Sequence, residues 1–433
     1  MAPSDEQSLE AALKAEDQGQ TSAAESILAN LYQKYPGNFQ VLTSLGEVYA
    51  EEGKFEQAAP VLEKACQQQP SSAPALANLG ATYLKLNRID DSIRTLKRAA
   101  TLDPKNPDTQ SNLGIALMQG GHPREAAAAF AAAASSRPPN DDLLYNWGLA
   151  LYASGQSQEA AKVLQRASNV ESSASVQSLL GDISEQQKQY QQAVAHYQAA
   201  AKLEPNESNL YALGLEFLRH WTFDEAARVF AYSATKYPDS KRTLLALGIA
   251  KYSNNDFAGA APIFAQVLST DPDNEFVANL LGHDCSLMPD DSPGCARLID
   301  FAERHPSNAS VATYAAASIL HRPGGQQDLE RAQQLLQHAI SADPKFPESY
   351  YQLGVLYQQK TEWQPSIATL EQAIALKPSY AQAHYHLALA YSHTNQREKA
   401  QAEIALQQKY SQQEKDDLNA RFKQVTTFLI AQH

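Results

Sequence analysis

Residues 76–104 read LANLGATYLKLNRIDDSIRTLKRAATLDP. Leu76, Leu79 and Tyr83 fall at helical spacing before Asn87, and Ile93, Leu96, Ala99 and Ala100 resume that spacing after it. The stretch therefore predicts a helix, a short turn and a second helix ended by Pro104. Working outward, the closing proline recurs: Pro36, Pro70, Pro104 and Pro138 are each 34 residues apart. Ser172 takes the next slot, and Pro205, Pro238, Pro272, Pro306, Pro344 and Pro378 follow at intervals of 33, 34, 34, 38 and 34. Glycines keep the same beat at Gly46, Gly80, Gly114, Gly148, Gly181, Gly214, Gly248, Gly282 and Gly354, with Ala316 and Ala388 in the equivalent slot elsewhere. A third register of small residues, Ala58, Ser92, Ala126, Ala160, Ala193, Ala226, Ala260, Ala332, Ser366 and Ala400, sits 12 residues after the glycine slot in nearly every repeat.

Small residues at those two slots let the paired helices approach closely. Gly53, Asn87, Gly120, Gly155 and Asn255 lie at or near the end of the first helix, where a left-handed residue satisfies the last carbonyls. One such hairpin cannot bury its own apolar face, so stacking of neighbours must build the core. After the last repeat, Ser411 and Glu414 form a capping-box pattern, and Leu418, Phe422, Val425 and Leu429 recur at helical spacing. This predicts a terminal helix over 411–433 whose apolar stripe covers the final repeat while Lys415, Asp416, Arg421 and Lys423 face water.

The pattern resembles the tetratricopeptide repeat: Leu76, Leu79-Gly80, Tyr83, Leu96, Ala99 and Pro104 fill it in one repeat, and Leu210, Leu213-Gly214, Phe217, Ala226, Phe230 and Pro238 in another. About twelve repeats start near residues 5, 39, 73, 107, 141, 174, 207, 241, 275, 309, 347 and 381. The first lacks the glycine, with Ala12 in its place, but keeps Ala24, Leu28 and Pro36. The resemblance implies an all-α fold, a right-handed superhelical solenoid of antiparallel helix pairs with a C-terminal capping helix. The expected division is an N-terminal array over 5–274, two degenerate repeats over 275–346, two further repeats over 347–410 and the cap. The degenerate pair carries Pro/Gly-rich turns, SLMPDDSPGCARL at 286–298 and HRPGGQQDLERA at 321–332, which read either as tolerated insertions or as a kink between two arms.

Composition bounds the function. Apolar residues make up 43% and charged residues 19% of 433, which is a folded chain rather than a disordered one. The formal charge of −13, without a basic stripe, argues against nucleic acid as a partner. No apolar run is long enough to span a bilayer, and the acidic start does not read as a signal peptide, so no membrane insertion is expected and the expected location is cytoplasmic, or exported if a leader was removed. Cys66, Cys285 and Cys295 are too few for a disulfide framework; unpaired structural thiols are the reading, with a local Cys285–Cys295 bridge as the alternative in an exported protein.

No phosphate-binding glycine loop, HExxH, GxSxG or repeated CxxC occurs, so neither catalysis, a cofactor nor a metal site is expected. His384 and His386 are two apart and fall on different helix faces, which leaves the group with His393 a poor metal site, and His283 and His305 read as surface or loop residues. Function then rests on the face of each first helix that is not spent on packing. By resemblance to the family, the second, fifth, ninth, twelfth and thirteenth places line a concave groove that holds an extended or helical peptide. Those places carry Tyr145, Leu149 and Tyr152 in the fifth repeat, Tyr211, Leu215 and Leu218 in the seventh, and Leu245, Ile249 and Tyr252 in the eighth. Tyr351 and Tyr385 continue the theme, and all are expected to be exposed. Asn78, Asn112 and Asn146 share the sixth place and resemble an asparagine ladder that holds a peptide backbone, since an amide both donates and accepts. No lysine stands at the fifth place, which disfavours the family's carboxylate-gripping mode. The expectation is a non-enzymatic adaptor for a protein or peptide partner, with a self-associating structural protein or an exported assembly or secretion factor as alternatives.

Overall fold

A computed structural model of the chain describes residues 1–288, 293–321 and 325–430. Among the described residues 24 helices follow one another and no strand occurs, so the fold is an all-α solenoid of helix hairpins. The start of most first helices is written two residues after the closing proline. Asn38 accepts a hydrogen bond from the Val41 N–H at 3.1 Å, and Ser72, Asn106, Asn140, Ser240, Asn274 and Asn308 cap their helices likewise. Each such cap contributes about 1 kcal/mol by satisfying an otherwise orphaned backbone donor. The slot is occupied by Phe346 and Tyr380 in two later repeats, and neither offers a side-chain cap.

The first helices end in a Schellman turn. Gly53, at φ 75°, is followed by Lys54, whose N–H reaches back to the Tyr49 carbonyl at 2.7 Å. Positive φ recurs at Asn87, Gly155 and Asn255 as expected. In the fourth repeat the left-handed residue is Gly121, one position beyond Gly120, which has an ordinary φ of −79°. Lys188, Trp221, Thr361 and Asn395 also adopt it, so the turn geometry is imposed there without glycine.

The glycine slot is where the two helices of a hairpin touch. A Cβ on Gly114 would stand 2.5 Å from the Phe130 ring, and one on Gly214 2.5 Å from Phe230, in each case against the residue 16 positions later. Gly46 with Leu62, Gly80 with Leu96 and Gly354 with Leu370 repeat the arrangement. The small residue 12 positions after the glycine packs into the same contact: the Ser92 hydroxyl donates to the Gly80 carbonyl at 2.8 Å, and Ser366 to Gly354 at 2.9 Å. Where alanine holds the slot, as at Ala58, Ala126 and Ala226, it is fully buried.

The chain forms two compact parts, residues 1–203 and 204–433. In the first, a core from Leu96 to Ile183 includes Phe130 and Leu164, with a second cluster around Leu28, Leu42 and Leu45. In the second, the largest core runs from Ala260 to Leu356 around Phe264 and Phe301. The boundaries expected near 275 and 347 both lie inside this second part.

The ninth repeat departs from the rule. Its first helix, Glu275–Leu287, packs on Phe257–Thr270 of the preceding repeat and Ala309–Leu320 of the next more than on its own partner, while its second, Pro293–Arg304, lies against those same two helices. Accordingly a Cβ on Gly282 would meet Tyr314 at 2.9 Å and not residue 298. A disulfide joins Cys285 to Cys295 across this turn, with Cα atoms 5.7 Å apart. The unpaired reading of these two thiols is thus corrected; only Cys66 is free, and burial pushes its thiol up to about 11. The tip of this turn, 289–292, and the later insertion at 322–324 lie outside the described residues.

At the C-terminus one helix runs unbroken over Arg397–Ile430, so Ser411 starts no new helix. Its hydroxyl accepts from the Gln407 side chain at 3.0 Å within that helix. The capping-box partner Glu414 and the stripe Leu418, Phe422, Val425 and Leu429 fall among residues whose side chains lie outside the description.

Candidate recognition surface

The stripe read from the sequence lies on the first helices as expected, but its exposure does not match. Tyr145, Leu149 and Tyr152 are half-buried against the core of the first part, as are Leu245, Ile249 and Tyr252 in the second. Tyr211, Leu215, Leu218 and Tyr351 are also half-buried, and Tyr385, at 55%, is the one exposed member. For the tyrosines the physical reason is ring size: at these places a ring reaches the second helix of its own hairpin or the next hairpin. The Tyr211 ring meets Phe230 edge-on at 5.7 Å and lies under the Arg242 guanidinium at 5.0 Å. Tyr252 contacts Phe257 and Phe264, and its hydroxyl is 2.9 Å from His283 Nδ1. Tyr351 packs on Tyr380 at 4.9 Å. Burial raises the hydroxyl pKa of Tyr145 and Tyr252, and that of Tyr351 up to about 12 with help from the Glu348 charge.

The asparagines divide. Asn78 donates to Glu47 of the preceding repeat and is spent within the protein. Asn112 and Asn146 are half-buried and their amides have no hydrogen-bond partner among the described residues; Asn146 lines a shallow depression with Ser111, Ile115 and Asn140. Around Asn78 the surface is acidic. Burial and neighbouring carboxylates push Glu16 up to about 7, and burial raises Glu47 despite the Asn78 amide.

The histidines also separate. His384 is buried and held by Glu403 at 2.5 Å and the Pro378 carbonyl at 2.9 Å, His386 by Gln358 at 2.7 Å, and His393 stacks on Trp363 at 3.9 Å. Each of the three thus has its own partner. His283 is not the surface or loop residue expected, because it sits in the ninth first helix between Tyr252 and Tyr314. His305 is half-buried too, stacked on Phe301 at 4.2 Å.

Sequence reasoning missed Asp284. Two places after the glycine slot the other repeats carry buried residues such as Val48, Thr82, Ala116, Ala150, Ala250 and Ala390. Asp284 occupies that place, fully buried, with neither carboxylate oxygen hydrogen-bonded. Burial, with Asp256 nearby, pushes its carboxyl up to about 8. The signal was an acid at an apolar register, and Glu216 in the seventh repeat is the other instance.

Among the described residues no helix is long and apolar enough to cross a membrane. Residues 7–213, a little under half of the chain, match the family of the cilia and flagella-associated protein 70 C-terminal domain. Residues 211–275 match a tetratricopeptide repeat family, and 362–394 another described as TPR repeat. Among solved structures, the APC/C hetero-tetramer Cut9-Hcn1 is similar at 13% identity and TM-score 0.40, over 92% of this chain and 92% of that one. Naa15/Naa10 bound to HypK-THB is similar at 16% and 0.38, over 93% and 68%. MamA 41-end from Desulfovibrio magneticus RS-1 is similar at 17% and 0.36, over 38% and 94%. Comparison with curated proteins finds no match. The proline, glycine and alanine registers, the hairpins they build and the repeat families matched along the chain agree: the chain is a tetratricopeptide repeat protein.

Proposed function

We propose that this scaffold captures an extended segment or a helix of a partner protein along the stripe of its first helices. One observation carries the reading. At the fifth and ninth places the first helices keep partly exposed tyrosine and aliphatic side chains after every hairpin contact is made, with Tyr385 and Leu389 at 55% and 37% exposure in the last repeat. Half-buried rings suit recognition, since a side chain already fixed by packing loses little entropy on binding. The unspent amides of Asn112 and Asn146 supply backbone-directed donors and acceptors in the first part.

The test is display of random twelve-residue peptides against the full chain, followed by titration of enriched peptides on Tyr145→Ala, Leu215→Ala and Tyr385→Ala. Binding should weaken in at least one of these while helicity by circular dichroism stays at the parent value. Enriched peptides that bind all three variants as tightly as the parent contradict the reading.

The Cys285–Cys295 bridge supports an oxidising compartment over the cytoplasm, because buried structural disulfides persist where thiols are not kept reduced. Alkylation of the protein taken from its own cells, without reductant, should label Cys66 alone under denaturing conditions. Labelling of all three cysteines argues for the cytoplasmic reading.

A further inference from the structure

Within the second part, aromatic rings from five successive repeats form two runs of ring contacts along the first helices and their N-caps. Tyr252 meets His283 at 5.5 Å, His283 meets Tyr314 at 5.8 Å, and Tyr314 meets Phe346 at 6.4 Å. Further along, Tyr351 meets Tyr380 at 4.9 Å and His386 at 5.6 Å, and His386 meets the exposed Tyr385 at 5.4 Å. Glu348 lies among these rings, accepting from the Tyr380 hydroxyl and from the Gln352 amide. Its charge acts on Tyr314 as well as on Tyr351.

Two features mark this tract as more than packing. Phe346 and Tyr380 stand in the slot where the other repeats place a capping asparagine or serine, and both leave their helices uncapped. A local rule broken in two neighbouring repeats, each time by an aromatic residue that joins one of these runs of rings, is the pattern expected of a functional surface. The second feature is the distribution of cations. Along the chain Lys or Arg stands over aromatic rings, as with Arg88 over Tyr83 at 4.1 Å, Arg166 over Trp147 at 5.6 Å and Lys64 over Tyr32 at 5.1 Å, and within the tract Lys377 stands over Tyr380 at 4.6 Å. Among the described residues none stands over Tyr252, Tyr314, Tyr351 or Tyr385, and the nearby Lys251 is held by Asp256 at 2.6 Å. Half-exposed π faces beside a carboxylate, on a chain of net charge −13, are complementary to cationic side chains.

We infer that the aromatic tract from Tyr252 to Tyr385 is the docking surface for an extended partner segment that carries lysine or arginine side chains. The inference rests on the scaffold reading above and gives it a partner chemistry. The basic side chains lie on the uncapped ring faces, and Glu348 sets the sign of the charge that is accepted.

The experiment uses the full chain and three fluorescein-labelled peptides, (Lys-Ser-Ala)4, (Glu-Ser-Ala)4 and (Pro-Ser-Ala)4, with anisotropy read at low and high salt. The lysine peptide should bind and the other two should not. Tyr314→Leu and Tyr351→Leu should each weaken it roughly fivefold by removing the π face, whereas Tyr314→Phe and Tyr351→Phe, which keep it, should change it less than about twofold. Glu348→Gln should weaken binding and flatten its salt dependence. Phe346→Asn restores a cap, so it should weaken binding while leaving the unfolding midpoint unchanged or raised. Binding of the lysine peptide that survives both leucine variants is surface charge attraction and overturns the inference, as does equal binding of the acidic peptide. Tight binding of the proline peptide alone overturns the basic partner yet leaves the scaffold reading standing. If the display experiment also yields no peptide, both fall.

Discussion

The regular repeats and the ninth repeat solve one packing problem in two ways. In the regular hairpins a glycine lets Leu62, Leu96, Phe130 or Phe230 lie directly on the first helix, and a left-handed residue closes the turn. In the ninth, Gly282 turns toward Tyr314 of the following repeat, the second helix moves onto its neighbours, and a disulfide ties the two helices together. The comparison teaches that the glycine is a contact device whose partner depends on which helix stands opposite. Where the second helix of the hairpin stands aside, the first helix takes its close neighbour from the next hairpin.

The largest expected effect breaks this comparison directly. Gly114→Ala places a Cβ at 2.5 Å from the fully buried Phe130 and should lower stability by about 3 kcal/mol, outweighing alanine's better helix propensity. Gly282→Ala meets the Cβ and ring of Tyr314 at 2.9 Å; that Cβ moves only with its helix backbone, but the overlap is smaller than at Gly114, so the loss should be about 1.5 kcal/mol. Equal losses in urea unfolding would remove the distinction.

Next, Cys285→Ser with Cys295→Ser opens the staple between the two helices of the ninth repeat and should cost about 2 kcal/mol. The reductant sensitivity of the parent should vanish in this variant, and any that persists places the effect elsewhere.

Asp284 sharpens the comparison by pH. Burial keeps its carboxyl protonated up to about 8 in the folded chain, whereas an unfolded aspartate releases its proton near ~3.9. Between those values the folded state holds the extra proton. This contribution to stability is therefore full below the unfolded value and is lost as pH rises through the folded one. The parent should lose about 1.5 kcal/mol more than Asp284→Asn between roughly pH 6.5 and pH 8. Parallel stability curves for the two proteins would contradict the buried, unpartnered carboxyl.

The smallest effect lies in the turns. Lys188 holds φ at 60° without being glycine, so Lys188→Gly should raise stability by about 1 kcal/mol. The same change at Lys54, which follows a glycine that already takes the strained position, should bring no gain.

Much of the fold was legible because it is written in residues with few roles. Proline can close a helix but not continue it, and glycine at a fixed place reports close approach, so the hairpins could be read from Pro104 and Gly80 alone. The surface was less legible. Tyr252 and Tyr351 were found by their register, but the register does not say how far a ring reaches, and both lean on the neighbouring hairpin. Asp284 and the pairing of Cys285 with Cys295 depend on which helices face each other in the ninth repeat, a tertiary fact that local spacing does not encode. Ser411 carried a capping pattern, yet the helix already running from Arg397 passes through it, because a cap acts only where a helix has stopped.

The central claim is that recognition belongs to the first helices and not to the second. A photoreactive benzophenone side chain placed at positions 149, 215, 249 and 385, and in separate proteins at 97, 125, 228 and 371 on second helices, tests it with an enriched display peptide. The account expects covalent capture from at least one position in the first set and none in the second. Capture from the second helices alone would contradict it.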